Sequence, residues 1–201
     1  MNDKLSTGVD PYLYPGINVL ENKLGIHEAN RLAQAEMAFT ALRAATISLG
    51  QPEMGLPHLC AIHQTLFQDI YPWAGKFREM DIYKEDTPFC HFPYIEKEGN
   101  NLMQELEDDG YLVDLPHDQF CKKLAHYYTG INLLHPFRDG NGRAQRIFFE
   151  QLIIHAGYDV EWKGIERDNW LDANKKAVFG DEKPLTAIFK QAVHEIDNNK
   201  P

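Results

Sequence analysis

Residues 135–146, HPFRDGNGRAQR, interrupt two runs of helical apolar spacing, and this break constrains the chain more than any other segment. Upstream, Phe120, Leu124, Tyr127, Ile131 and Leu134 recur at intervals of three and four, which predicts one amphipathic helix over 117–134. Downstream, Ile147, Phe148, Leu152 and Ile153 predict a second over 143–155, with Gly157 as its C-cap. Pro136 has no N–H and disfavours helical geometry in the residue before it, so the first helix must stop at His135. Gly140, Asn141 and Gly142 tolerate the backbone angles of a sharp turn. The result is a helix–loop–helix with a polar loop between two buried helices. Turn chemistry does not explain why His135, Asp139, Arg143 and Arg146 flank it.

The rest of the pattern is also mostly helical. Leu32, Phe39, Leu42 and Ile47 predict a helix over 28–49 that Gly50-Gln51-Pro52 ends. Leu59, Ile62, Leu66, Phe67 and Ile70 predict another over 56–70, and Ile95, Leu102, Met103 and Leu106 a third that stops before Gly110. Shorter helices are expected over 168–178 and 185–196. The stretch 77–92, FREMDIYKEDTPFCHF, reads instead as a β-hairpin around its KEDT turn, with Pro88 arguing against a helix. DPYLYPG, residues 10–16, reads as an extended, turn-rich lead. The expected fold is mostly α, a helical bundle with one β-hairpin, forming a single domain over 1–201 with its core from about 28 to 196.

Composition excludes several classes. A formal charge of −10 opposes broad binding to nucleic acid, which needs clustered Lys and Arg, though Arg138, Arg143 and Arg146 make one local basic spot suited to a small anion. Three cysteines without CxxC spacing predict neither a disulfide framework nor a zinc site, and fit a reducing cytoplasm. The first residues have no signal-peptide pattern and no apolar run approaches membrane-spanning length, so no membrane role is expected.

The loop carries a coherent chemistry. A helix N-terminus offers unpaired N–H groups and a positive dipole end, which attract phosphate. Arg143 and Arg146, three apart, can both reach a polyphosphate. Asp139 is a hard oxygen ligand suited to Mg²⁺, and His135 can accept a proton near neutral pH. Each residue alone has a plainer reading: a helix cap, a turn acid, a solvated cationic face. In this order, beside one another, they fit transfer of a phosphorus centre to a hydroxyl.

HPFRDGNGRAQR resembles the signature HPFx[D/E]GNGRxxR of Fic-domain proteins, most of which transfer AMP from ATP to protein hydroxyls. LPHLCAIHQTLFQDIYPWAGKFR, residues 56–78, is similar to the segment that precedes the family's target-docking flap, and the 77–92 hairpin resembles that flap. The likeness spans about 11–196 and looks most like the stand-alone bacterial Fic toxins of the cell filamentation type. The resemblance implies a Fic fold with His135 as general base and Asp139 holding Mg²⁺. It implies backbone N–H groups of Gly140, Asn141 and Gly142 as an anion hole, with the Asn141 side chain on the α-phosphate, Arg143 on the β-phosphate and Arg146 on the γ-phosphate. Phe137 is then a core anchor for the loop. Phosphotransferase relatives of the Doc type carry Lys where Gly142 stands, so Gly142 favours AMP transfer.

The family's inhibitory motif, [S/T]xxxE[G/N], finds no match. YIEKEG, residues 94–99, ends correctly but begins with Tyr and lies between hairpin and signature. The resemblance therefore implies a small antitoxin that supplies the inhibitory Glu to Arg146 in trans, and a protein target docked on the 77–92 hairpin. By analogy with the toxin group, a type II topoisomerase is the first target to consider. Alternatives are a Fic transferase using another nucleotide donor, and a lapsed nucleotide-binding regulatory module. His58, His63, His126 and His155 read as packing or surface residues, and Trp73, Trp162 and Trp170 as core or part-buried residues without a stacking role. Among Thr87, Phe89, Cys90 and His91 the sequence does not choose a target contact.

Overall fold

The computed structural model describes residues 4–5, 10–48, 54–84 and 87–196. It is mostly helical, with two small antiparallel sheets, among the described residues. The helices are α1 (Ala29–Ala44), α2 (Leu56–Phe67), α3 (Ile95–Asp108), α4 (His117–Leu134), α5 (Asn141–His155), α6 (Arg167–Val178) and α7 (Lys183–Ala192).

Helix α4 is the spine, with the bounds its periodicity predicts. It buries Phe120, Leu124, Tyr127, Tyr128, Ile131 and Leu134 on the side that faces α3, α5, α6 and α7. Each large apolar side chain taken out of water there contributes on the order of 1.5–3 kcal/mol. Helix α5 packs against α2 and α4 through Ala144, Phe148, Phe149, Leu152 and Ile153, all buried. Gly157, at φ +87°, closes α5 as expected, its N–H donating to the Ile154 carbonyl at 3.1 Å.

Several boundaries differ from the sequence expectation. Helix α1 stops at Ala44, and Leu42, expected inward, is 69% exposed. Alanine-rich sequence forms this helix by propensity, while its apolar residues do not gather on one face. The expected terminator, Gly50-Gln51-Pro52, lies outside the described residues. Helix α2 ends at Phe67, and Ile70 is buried in the turn beyond it. The expected hairpin is shorter than its 77–92 span: β2 (Ile82–Lys84) pairs with β3 (Thr87–Pro88). A strand the sequence did not announce, β1 (Lys4–Leu5), adds antiparallel to the other edge of β2, giving the order β1-β2-β3. The final expected helix is cut short as well. β5 (Val193–Glu195) leaves it to pair with β4 (Tyr158–Val160), a second sheet in place of the single hairpin expected.

Candidate active site

Residues 135–146 form the α4–α5 connection. His135 caps α4 in the left-handed region, φ 42° and ψ 60°, with its N–H still donating to the Ile131 carbonyl at 3.0 Å. Pro136 then turns the chain away. Phe137 is fully buried, as expected of a core anchor, and its ring stacks on His63 with centroids 3.9 Å apart. The Asn141 side chain is also buried: Oδ1 accepts from the Phe137 N–H at 2.9 Å and Nδ2 donates to the Phe137 carbonyl at 2.8 Å. Both ends of the amide brace the loop. Gly140 caps α5 at φ 78°. A Cβ there would lie 2.3 Å from Phe67 Cζ, so the loop backbone rests directly on α2.

The charged residues converge unequally. His135, Asp139, Gly140, Asn141, Gly142, Arg143 and Arg146 all border one cleft of about 750 Å³, walled on its far side by Ile165, Trp170 and Leu171. The Asp139 carboxylate accepts the Gly140 N–H and stands 3.5 Å from Arg143 Nη2. Arg143 Nη2 donates to Glu36 of α1 at 2.7 Å, and the guanidinium lies over the Phe67 ring, 4.5 Å from its centroid. Glu36 accepts the Tyr71 hydroxyl on its other oxygen, and burial pushes the Tyr71 pKa up. Arg146 is exposed and lies over Trp162 at 4.6 Å and Trp170 at 5.9 Å. These tryptophans therefore do stack, contrary to the sequence reading. Arg138 borders the same cleft, but its guanidinium is largely buried and pairs with Asp10, 2.6 Å away across 128 residues of sequence.

Sequence reasoning passed over His63, which is fully buried beneath the loop. Its Nδ1 accepts the Gly75 N–H at 2.9 Å, so Nε2 carries the proton and donates to the Asp139 carbonyl at 2.9 Å. Burial lowers its pKa to about 4, opposed by the bond to Asp139 and aided by the nearby Arg143 charge. His58 likewise has a specific partner, Gln151 Oε1 at 2.6 Å. Only a pairing of imidazole with groups distant in the chain distinguishes such residues, and nothing in local sequence signals it.

The flap lies over His135. The Phe89 ring is parallel to the imidazole, centroids 3.8 Å apart with 12° between planes. His91 Nδ1 pairs with Asp81 at 2.5 Å on the outer side. Phe89 thus brings the flap into contact with His135. A second hollow, about 860 Å³, opens between α2, α5 and the segment after α1, but His58 and Gln151 there are bonded to one another and no cationic cluster faces it among the described residues. YIEKEG runs into the start of α3, and none of its residues borders the cleft.

The Fic/DOC family matches residues 53–153. The chain is 62% identical over 195 residues to the "Probable protein adenylyltransferase Fic" of Salmonella typhimurium, covering 97% of this chain and 98% of that one. It is 58% identical to the protein of the same name from Escherichia coli K12, over the full length of both. VbhT of Bartonella schoenbuchensis, a protein adenylyltransferase, is 35% identical across 95% of this chain and 40% of its own length. Among solved structures, Bartonella tribocorum BepC with bound AMPPNP superposes with a TM-score of 0.84 at 28% identity, covering 92% of this chain and 97% of that one. The ADP-bound N-terminal Fic domain of a Bartonella quintana cell filamentation protein gives 0.84 at 29%, covering 92% and 94%. With its helix–loop–helix signature, its flap and these relatives, the chain belongs to the Fic/DOC family.

Proposed function

We propose that this protein transfers AMP from ATP to a Ser, Thr or Tyr hydroxyl of a target protein. The observation that carries this reading is the meeting, in one cleft, of an imidazole, a carboxylate, a helix N-terminus and several arginines, Arg143 and Arg146 among them. The names of its relatives support it, and the AMPPNP and ADP bound to solved relatives support a nucleotide in that cleft.

The target hydroxyl gives its proton to His135 as its oxygen bonds to the α-phosphorus. The bond from that phosphorus to the α–β bridging oxygen breaks, and pyrophosphate leaves. First-turn N–H groups of α5 stabilise charge on the α-phosphate, and do so from fixed positions because Asn141 and Phe137 lock the loop. Arg143 and Arg146 take the outer phosphates. Glu36 holds Arg143 ready, so an arriving phosphate meets an arginine already oriented.

Asp139 would hold Mg²⁺, which would neutralise phosphate charge. The residues fit that ion only together with nucleotide. Asp139 offers one partly exposed carboxylate, and the described residues hold no group of three or more His, Cys, Asp or Glu able to bind a metal. Mg²⁺ is commonly bound by one or two carboxylates plus substrate phosphates.

In this reading the chain acts as one Fic domain in the cytoplasm, as the toxin of a toxin–antitoxin pair, with a type II topoisomerase as a target and no direct contact with DNA. No helix among the described residues is long and apolar enough to cross a membrane. The antitoxin would dock on α1, where Met37 and Leu42 stand 70% and 69% exposed, and bring a Glu to Arg146. The target strand would add to the flap. The test uses bacterial lysate, Mg²⁺ and ATP labelled on either the α- or the γ-phosphate. Label retained on protein from α-labelled ATP alone, and lost with His135→Ala, supports AMP transfer. Label from γ-labelled ATP alone would make it a kinase and refute the reading.

A further inference from the structure

His135 is not glycine, yet it holds φ 42°. A left-handed residue of this kind persists where its surroundings over-determine it. Those surroundings centre on Arg78, whose side chain is completely buried. Its Nε donates to the His135 carbonyl at 2.8 Å, and Nη2 reaches the Leu134 carbonyl at 3.4 Å. Nη1 donates to the Met80 carbonyl at 2.6 Å and Nη2 also to that of Cys90, at the two ends of the flap. The Arg78 backbone N–H donates to the Pro136 carbonyl at 2.9 Å. One residue therefore grips the carbonyls of Leu134, His135 and Pro136 and both ends of the segment that carries Phe89 onto the imidazole.

This guanidinium has only a loose countercharge: Asp81 Oδ1 is 3.8 Å from Nη1, and burial lowers the Arg78 pKa against that attraction. An apolar side chain of similar length would avoid that desolvation. What only arginine supplies is a rigid fork of donors for several carbonyls at once.

We propose that Arg78 is a positioning residue that fixes the His135 imidazole against the flap, through the His135 carbonyl on one side and the Phe89 ring on the other. The inference deepens the proposed function and rests on His135 being the base. It also makes the flap and the base a single unit, so a target that shifts the flap shifts the imidazole with it.

Arg78→Lys keeps charge and stem but loses the fork. The spectroscopic readout is the ring-proton NMR signals of His135, which stacking on Phe89 displaces upfield. They are expected to relax toward ordinary histidine positions in Arg78→Lys and in Phe89→Ala, while the His63 signals stay fixed. With α-labelled ATP, kcat for label transfer is expected to fall at least about tenfold, as misorientation of a catalytic group does. ATP affinity by calorimetry should stay within about twofold, a split that general loss of structure would not produce.

Where Arg78→Lys does not fold, Phe89→Ala decides, since Phe89 is only half-buried. Upfield His135 signals that persist in folded Arg78→Lys, or a kcat like that of the unaltered protein, would overturn the proposal. So would a Phe89→Ala variant unchanged in both readouts. Label transfer surviving in His135→Ala would instead sink the proposed function, and the NMR comparison would still decide the role of Arg78.

Discussion

Gly140 and Gly142 stand two residues apart in one loop, and alanine is expected to act oppositely at each. At Gly140 two terms add. The backbone is left-handed at φ 78°, where a Cβ costs about 1–2 kcal/mol. That Cβ would also lie 2.3 Å from Phe67 Cζ, 2.4 Å from Cε2 and 3.2 Å from His63 Nε2. Phe67 is fully buried and cannot swing into solvent, so overpacking adds about 1–3 kcal/mol. Gly140→Ala should therefore lose roughly 2–5 kcal/mol, a large part of a typical domain's stability. At Gly142 a Cβ meets nothing within 4 Å and the residue is already helical, so Gly142→Ala should be neutral or up to about 1 kcal/mol more stable. If the proposed function is right, its methyl still weakens ATP binding, because it stands where phosphate approaches the helix end. Urea unfolding of both variants reads the stability difference, and calorimetry reads ATP affinity. Adding Phe67→Leu to Gly140→Ala should recover the packing part and leave the backbone part, a non-additivity that identifies the contact. A loss under about 0.5 kcal/mol in Gly140→Ala would refute the reasoning, since it would mean that neither strain nor contact is felt.

Two further outcomes can be checked without knowing the target. Asp10→Ala removes the buried Arg138–Asp10 pair and should destabilise by about 3–5 kcal/mol, whereas Asp10→Leu with Arg138→Met should lose much less; urea titrations of the two variants decide this. His63 is neutral in the fold and has its pKa lowered to about 4 from the model-peptide value of 6.5, so its contribution is complete above pH 6.5 and lost as pH falls from there toward 4. The lost amount approaches about 3 kcal/mol, and His63→Gln should flatten that part of the stability profile; parallel profiles for the two proteins would refute it.

The parts that sequence disclosed share a physical reason: they are local. Helix α4 was legible because its apolar residues face one core and Pro136 stops it. That His135, Asp139, Gly140, Arg143 and Arg146 would border one cleft was legible because they come from one dozen positions. What escaped depends on partners far along the chain. Val193–Glu195 leaves helical geometry only because Tyr158–Val160 offers a strand to pair with. Arg78 and His63 answer to backbone groups of the signature loop, 57 and 76 residues away, and apolar periodicity is blind to such bonds. Arg138 seemed a free cation until the fold brought Asp10 beside it. Asn141 shows the reverse limit: the signature named the residue, but only the coordinates show its amide closing the loop.

The placement of Arg146 above Trp162 has an optical consequence. Indole emission responds to a cation over its face, and the three tryptophans of the chain divide cleanly by position. Trp73 is buried against Tyr71, on the α2 side of the molecule, while Trp170, on the wall of the cleft, forms an edge-to-face pair with Trp162 behind it. Any anion that draws Arg146 off that wall changes the surroundings of two of the three fluorophores and leaves the third as an internal reference. The protein thus carries its own label-free signal for an anion reaching Arg146, one that Trp162→Phe would mute.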